Sequence, residues 1–249
     1  MVRRILLVCL VLSFLIVPGA WGTLIYTGSI GSDKWEEAGA NPYGLYSNDG
    51  WSDAVLSWKV YYSGGLYTYQ YTFTDYGTGP SVKDISHGII EVSATFESVN
   101  IIDIYTGDGG ETTGEAEPEY TLGTFSNSKN EPKPVDIYGI KVDGLTNGLS
   151  WTIVTNREPM WGDFYAIDGG SYNPTVDDTG WVYAYNTGFG SEAPADYEGI
   201  PLEDFKAWVI VPDTEGGIPP AGLIPEPATL LLIGAGLIGF AGLGRKYFK

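Results

Sequence analysis

The stretch at residues 54–75, AVLSWKVYYSGGLYTYQYTFTD, decides the fold class because its apolar and polar residues alternate. A period of two places every second side chain on one face of a β-strand, whereas a helix needs a period near 3.6. Glycines at 64 and 65 separate the two halves and accept the positive φ that a tight turn requires. The stretch therefore predicts a β-hairpin with one apolar face, formed by Leu56, Trp58, Val60, Tyr62, Tyr67, Tyr69, Tyr71 and Phe73.

Similar short runs occur on both sides of this hairpin, separated by Gly, Asn and Asp. The pair Asn147 and Gly148 is one predicted turn. Roughly nine or ten such strands predict an all-β domain over residues 23–212, an antiparallel β-sandwich of jelly-roll type, with a barrel as the alternative. The runs are TLIYTGSI (23–30), HGIIEVSATF (87–96), VDIYGIKVD (135–143), LSWTIVTN (149–156), WGDFYAIDG (161–169), WVYAYNT (181–187) and FKAWVIVP (205–212).

Two segments lack this alternation. Residues 108–134 are acidic and polar with three prolines, which predicts a long surface loop or an insertion that need not divide the domain in two. Residues 213–224 are rich in proline and glycine and predict an extended tether after the last strand. The chain is therefore expected to hold one folded domain.

The first 22 residues have the pattern of an export signal. Arg3 and Arg4 precede the apolar run 5–17, and Ala20 and Gly22 are small residues that suit cleavage by signal peptidase. The only cysteine of the chain lies inside this segment and would leave with it. The mature protein is therefore expected to have neither disulfides nor thiol chemistry.

The remaining domain is strongly acidic. Residues 23–224 contain 8 Lys and Arg against 30 Asp and Glu. Such a surface repels nucleic acid and anionic lipid, so neither is an expected partner.

Residues 228–244 are uncharged and end at a basic cluster formed by Arg245, Lys246 and Lys249. As a helix they would be about 25 Å long, near the lower limit for crossing a bilayer. The basic cluster predicts a single transmembrane helix with its C-terminal end inside the cell. The sequence GAGLIG at 234–239 matches a dinucleotide-binding fingerprint, but no acidic residue or returning strand follows, so no cofactor is predicted.

The tripeptide Pro225, Glu226 and Pro227, the apolar segment and the basic cluster together resemble the PEP-CTERM sorting signal over 225–249. This resemblance implies that exosortase, a bacterial membrane enzyme, recognises the tripeptide and processes the segment at the cell surface. Segments of the domain such as DIYGIKVDG and AWVIVPDT are similar to exported β domains that carry this signal. The resemblance implies a surface or extracellular-matrix protein of a bacterium that makes exopolysaccharide.

Few residues suggest catalysis. The only histidine, His87, is adjacent to Ser86 and near Asp84, but a triad needs partners on separate elements. A histidine at the start of a strand, exposed at the sheet edge or hydrogen-bonded, is the expected role. A Cys/His zinc site is unavailable. The protein is therefore predicted to be non-enzymatic, with no catalytic residues.

A carbohydrate-binding role is the main alternative. Trp161, Asp163, Tyr165 and Asp168 are residue types that stack on a sugar ring or bind its hydroxyls. A period of two would place the first three on one face of a strand. With 30 acids in residues 23–224, paired carboxylates of a glycoside hydrolase are a third, less favoured hypothesis.

Calcium is the ion that the sequence suits best. The loops at 47–53 and 168–178 are rich in Asp, Asn and Gly, although neither has the full EF-hand spacing. The same residues are ordinary turn formers. We therefore predict no metal ligands or cofactor, and keep calcium as the alternative.

Overall fold

A computed structural model describes residues 22–32, 44–48, 51, 53–77, 85–107, 118–128, 131–168, 181–191 and 207–212. This part of the chain forms thirteen strands and one 3-10 turn at Ser98–Asn100. The strands are β1 (Thr23–Gly31), β2 (Leu45–Ser47), β3 (Ala54–Ser63), β4 (Leu66–Asp75), β5 (His87–Glu91), β6 (Ile101–Gly107), β7 (Tyr120–Phe125), β8 (Ile137–Asp143), β9 (Ser150–Thr155), β10 (Pro159–Gly162), β11 (Phe164–Asp168), β12 (Val182–Asn186) and β13 (Val209–Pro212).

The strands form three sheets. A five-stranded sheet has the order β1-β3-β4-β9-β6, a six-stranded sheet has the order β2-β12-β11-β5-β8-β7, and β10 pairs with β13. Every pairing is antiparallel. The predicted antiparallel all-β fold is confirmed, whereas the jelly-roll-like sandwich remains a prediction.

The hairpin at 54–75 is confirmed. Strands β3 and β4 pair in continuous register from Ala54 opposite Asp75 to Ser63 opposite Leu66. The turn glycines at 64 and 65 have φ of 60° and 89°, backbone angles that residues other than glycine adopt only at a cost in free energy. The predicted apolar faces are buried along most of the hairpin, but Tyr62 beside the turn is 43% exposed.

Apolar side chains of the two larger sheets pack in one core. The Phe164 ring of the six-stranded sheet lies 5.9 Å from the Phe73 ring and 6.3 Å from the Trp151 ring of the five-stranded sheet. Tyr71 stacks on Trp151 at 5.6 Å and donates its hydroxyl to the carbonyl of Ile210 at 2.8 Å. A buried hydroxyl needs such a partner, so this bond ties β13 to the core.

The prediction that 108–134 is a loop throughout is wrong, because β7 lies within it. This strand pairs with β8 at the edge of the six-stranded sheet, from Tyr120 opposite Val142 to Phe125 opposite Ile137. The side chains of β7 are exposed or half-buried because it is an edge strand, so its sequence shows little apolar alternation. Strands β2 and β6 were also not predicted from the sequence. In β6 the apolar side chain of Ile102 is exposed.

The outer face of the six-stranded sheet carries a second apolar cluster. The connection between β7 and β8 packs against it: the Lys133 Nζ lies 4.8 Å from the centre of the Tyr165 ring. We call this the covered face. Its buried apolar members are Ile89, Ile137, Tyr165, Ile167 and Phe189.

The turn at Asn147 and Gly148 is confirmed, although it joins the two larger sheets rather than two paired strands. Gly148 has φ of 76°, and the Asn147 side chain accepts a hydrogen bond from the backbone N–H of Asp75 at 2.7 Å. No helix in the described part of the chain has the length and hydropathy to cross a membrane. The predicted signal at 1–22, apart from Gly22, the tether at 213–224 and the helix at 228–244 lie outside the described residues.

Candidate functional site

One of the predicted ligand residues, Asp163, lies at a corner of the chain. This residue lies between β10, which pairs with β13, and β11, which pairs with β5 and β12. Because the chain changes sheets here, the period of two is interrupted. Trp161 belongs to the core between the sheets, whereas Tyr165 belongs to the covered face. The expectation that these side chains share one face is therefore wrong.

Hydrogen bonds to the Asp163 carboxylate stabilise this corner. Its Oδ1 accepts a hydrogen bond from Asn186 Nδ2 at 2.8 Å, and its Oδ2 accepts one from the backbone N–H of Gly190 at 2.7 Å. The backbone N–H of Asp163 donates to Glu91 Oε2 at 2.8 Å. Burial raises the pKa of Asp163, and the bonds from Asn186 and Gly190 oppose that rise. Both oxygens therefore have partners within the fold before any ligand arrives.

Tyr165 and Asp168 lie away from that corner. Tyr165 is fully buried, its hydroxyl has no hydrogen-bond partner among the described residues, and burial raises the pKa of its phenol far above the usual value. Asp168 is half-buried at the end of β11, opposite Val182. The structure therefore does not bring the four predicted residues together on one accessible surface.

A cleft of about 260 Å³ adjoins Trp161. Trp208, on the segment before β13, lines it as well, and its ring lies so close to Gly188 that a Cβ there would be 2.7 Å from the indole. Sequence reasoning missed Trp208, because only the pairing of β10 with β13 brings it beside Trp161. We call this the aromatic cleft; its lining residues are Glu91, Val92, Ser93, Met160, Trp161, Gly162, Asp163, Ser191, Trp208 and Val211.

His87 occupies a different position from the one predicted. It begins β5, which lies between β11 and β8, and it is only 6% exposed. The expected exposure at a sheet edge is therefore wrong. Its Nδ1 is 3.9 Å from Asp143 Oδ1 and its Nε2 is 3.7 Å from Glu131 Oε1, both longer than a hydrogen bond.

Charges near His87 are paired with one another. Lys133 Nζ lies 2.9 Å from Glu131 Oε2, and Lys141 Nζ lies 2.9 Å from Asp143 Oδ1. Burial lowers the pKa of His87, and the nearby Glu131 carboxylate partly offsets that effect. Burial alone would raise the pKa of Glu131, but the hydrogen bond and charge of Lys133 lower it overall.

Most of the two loops that the sequence suggests for calcium lies outside the described residues, namely residues 49, 50, 52 and 169–178. In the part that is described, no group of three or more His, Cys, Asp or Glu is placed to hold a metal ion. Asn48, from the first predicted loop, donates Nδ2 to the Trp181 carbonyl at 2.7 Å and accepts from the Tyr183 N–H at 3.1 Å. These bonds extend strand pairing and are turn chemistry.

Comparison with known proteins identifies one segment. Residues 223–246 match the PEP-CTERM protein-sorting motif. No curated protein and no solved structure matches the chain. The matched range contains Pro225, Glu226 and Pro227 and extends through Arg245 and Lys246, while Lys249 follows it; all lie outside the described residues. The chain thus carries the motif by which an exported protein is sorted to the membrane and cell surface and processed by exosortase.

Proposed function

We propose that the protein is a non-enzymatic surface or extracellular-matrix protein of a bacterium that produces exopolysaccharide. Signal peptidase removes residues 1–22, the helix at 228–244 holds the chain in the membrane, and exosortase then processes the segment beginning at Pro225. The β-domain, a jelly-roll-like sandwich in this proposal, is displayed outside the cell. No cofactor is required.

The sorting motif is the observation that carries this proposal. The composition of the domain supports it, because 30 acids against 8 bases over residues 23–224 favour solubility outside the cell. An apolar core shared by two sheets also supports it, since such a core can stabilise a domain that has no disulfides.

Fractionation of the native cells tests the proposal. We expect the protein in the surface or matrix fraction, with an intact mass that lacks residues 1–22. A chain found in the cytoplasm with those residues retained would contradict it. Incubation of the purified protein with a panel of polysaccharides is expected to release no new reducing ends.

Carbohydrate binding at the aromatic cleft is the second candidate function. Two indole rings, Trp161 and Trp208, line it together with the Ser93 and Ser191 side chains. Aromatic faces beside hydroxyls are the surfaces that pack on a sugar ring and bind its hydroxyls. In this proposal Asp163 positions the wall of the cleft, because its carboxylate accepts hydrogen bonds from Asn186 and Gly190.

A substitution of Trp208 tests this candidate more sharply than one of Trp161, because Trp161 is buried in the core and its truncation would destabilise the domain. We expect Trp208→Leu to weaken retention on neutral glycans in affinity electrophoresis by about tenfold. Trp181→Leu is the matched control, because Trp181 is also half-buried but does not line the cleft. Equal retention of both variants and the unmodified protein would exclude the cleft.

A glycoside hydrolase is the less favoured third candidate. Glu91 and Asp163 both line the cleft, and two carboxylates are the groups that such enzymes use. However, Asp163 is 5% exposed and both of its oxygens accept hydrogen bonds from the fold. These contacts favour a structural role for this pair. The assay for new reducing ends decides between the two roles.

A further inference from the structure

A polar depression of about 180 Å³ lies on the outer face of the five-stranded sheet. Two neighbouring cross-strand rows border it. In the first row Thr27 is opposite Lys59, which is opposite Gln70; in the second, Ser57 is opposite Thr72. Ser150 of β9 is opposite Thr72 and completes the second row. These residues alternate with core residues along each strand, so their side chains point away from the core.

The floor of the depression is built from buried polar groups. Gln70 is 5% exposed and Ser150 is 7% exposed. The hydroxyls of Thr72 and Ser150 share a hydrogen bond of 2.6 Å. Within the described residues, the side-chain amide of Gln70 lines the depression without a hydrogen-bond partner. The amide of Gln70 reaches the surface of the depression, where its two donors and one acceptor can bind a ligand that supplies partners for them.

Lys59 adds one positive charge to this depression. Among the described lysines, Lys133 and Lys141 pair with carboxylates at 2.9 Å, whereas Lys59 makes no ion pair. The chain as a whole has a formal net charge of −18, so a cation without an anionic neighbour is unusual on it. This ammonium is therefore free to bind an anionic group of a ligand.

The chemistry of the lining limits the ligand. A phosphate group is best held by several cations, a guanidinium fork or a set of free backbone N–H groups, and the strands here use their backbone groups in pairing. One ammonium with neutral amide and hydroxyl groups instead matches a single carboxylate beside several hydroxyls. The volume is below the usual range for drug-sized ligands, so it suits one small unit.

We propose that the depression binds a monosaccharide unit that carries one carboxylate, a uronic acid, within an otherwise mostly neutral polysaccharide. Lys59 pairs with the carboxylate, and Gln70, Thr72 and Ser150 bind the ring hydroxyls. A chain with a carboxylate on every unit is disfavoured, because the acidic domain repels a polyanion. This site rests on the proposed matrix role, which places the domain among polysaccharides, and it is separate from the aromatic cleft.

Two glycosides that differ in one group provide the test. Methyl glucuronide and methyl glucoside are titrated into the full-length protein, purified in detergent, at physiological ionic strength and observed by NMR. We expect the glucuronide to bind about fivefold more tightly, the upper range for an exposed ion pair. Polygalacturonate, with a charge on every unit, is expected to bind more weakly per unit than the glucuronide.

Two variants assign the contacts. Lys59→Gln is expected to bring the two glycosides to equal affinity, whereas Gln70→Leu is expected to weaken both by about fivefold, the loss of a neutral hydrogen bond. Lys141→Gln is the matched control, since Lys141 is already paired with Asp143 on the other sheet, and it is expected to leave the ratio unchanged.

Several outcomes would overturn the proposal: equal affinities in the unmodified protein, no binding of either glycoside, or a preference that survives Lys59→Gln. Because this measurement uses purified protein, it is independent of where the protein is found in cells. A protein that lies in the matrix but does not bind the glucuronide would refute this site alone. A protein that binds it but stays in the cytoplasm would refute the proposed function alone.

Discussion

The outer faces of the two larger sheets are built from similar alternating strands, yet they differ in how their polar groups are matched. On the covered face, Lys133 and Lys141 have carboxylate partners, and a second apolar cluster packs beneath the β7–β8 connection. On the five-stranded sheet, Lys59 has no ion pair in the described part of the chain, and Gln70 has no hydrogen-bond partner there. The lysine charges of the first face are paired within the fold, whereas the Lys59 charge of the second face is available to a ligand.

Charge in a sequence therefore does not by itself identify a functional surface. The connection NSKNEPKP at 127–134 looks like a solvated loop. In the fold, the Lys133 side chain has no exposed area and lies over the Tyr165 ring. The buried and paired Lys133 therefore has a structural role, whereas Lys59, which is exposed and makes no ion pair in the described part of the chain, indicates a candidate site.

The largest expected effect comes from Lys133. We expect Lys133→Met to lower the free energy of unfolding by about 2 kcal/mol, because it leaves Glu131 without its cation. The loss is smaller than for a fully buried ion pair, because the Glu131 side chain is about a third exposed. Lys59→Met on the other face should change it by less than about 0.5 kcal/mol. Urea unfolding measures both. Equal effects would end the distinction between the faces.

Gly190 tests how the covered face is closed. Its φ is 74°, and a Cβ there would lie 2.6 Å from Val135 Cγ2 on the covering connection. We expect Gly190→Ala to destabilise by about 2 kcal/mol through backbone strain and contact together. Gly64→Ala, where φ is 60° and no atom lies within 4 Å, is expected to cost about 1 kcal/mol. The difference between their thermal midpoints isolates the effect of the contact with Val135.

A smaller effect is expected from pH. Burial lowers the pKa of His87 in the folded protein below its usual value of 6.5, so the unfolded chain takes up its proton first. Stability is therefore complete above about pH 6.5 and falls as the pH drops toward the folded pKa. We expect His87→Gln to flatten this part of the profile. An unchanged slope between pH 5 and 7 would show that the covered face does not hold His87 neutral.

Local pattern predicted much of the fold. The hairpin at 54–75 and the turn at Gly148 follow from alternation and glycine placement, and both are confirmed. Strand β7 was missed because an edge strand needs no buried face, and YTLGTF is embedded among acids and prolines. Sheet membership depends on contacts between residues far apart in sequence, such as Tyr71 and Ile210, which no local pattern records.

The candidate sites were harder to predict for the same reason. Trp161 was identified from its residue type, but its neighbour Trp208 is brought in only by sheet pairing. Asp163 looked like a ligand contact, although the corner uses both of its oxygens. Gln70 is a polar residue in an alternating strand, and nothing in its sequence position shows that its amide would lack a partner.

Binding on the five-stranded sheet matters for function only if the domain is displayed outside the cell, so the C-terminal residue of the mature protein is the most direct test. Mass spectrometry of the protein from native cells is expected to show a chain trimmed near Pro227, and deletion of exosortase is expected to restore the full C-terminal segment. A mature chain that still ends at Lys249 in cells with active exosortase would contradict the account.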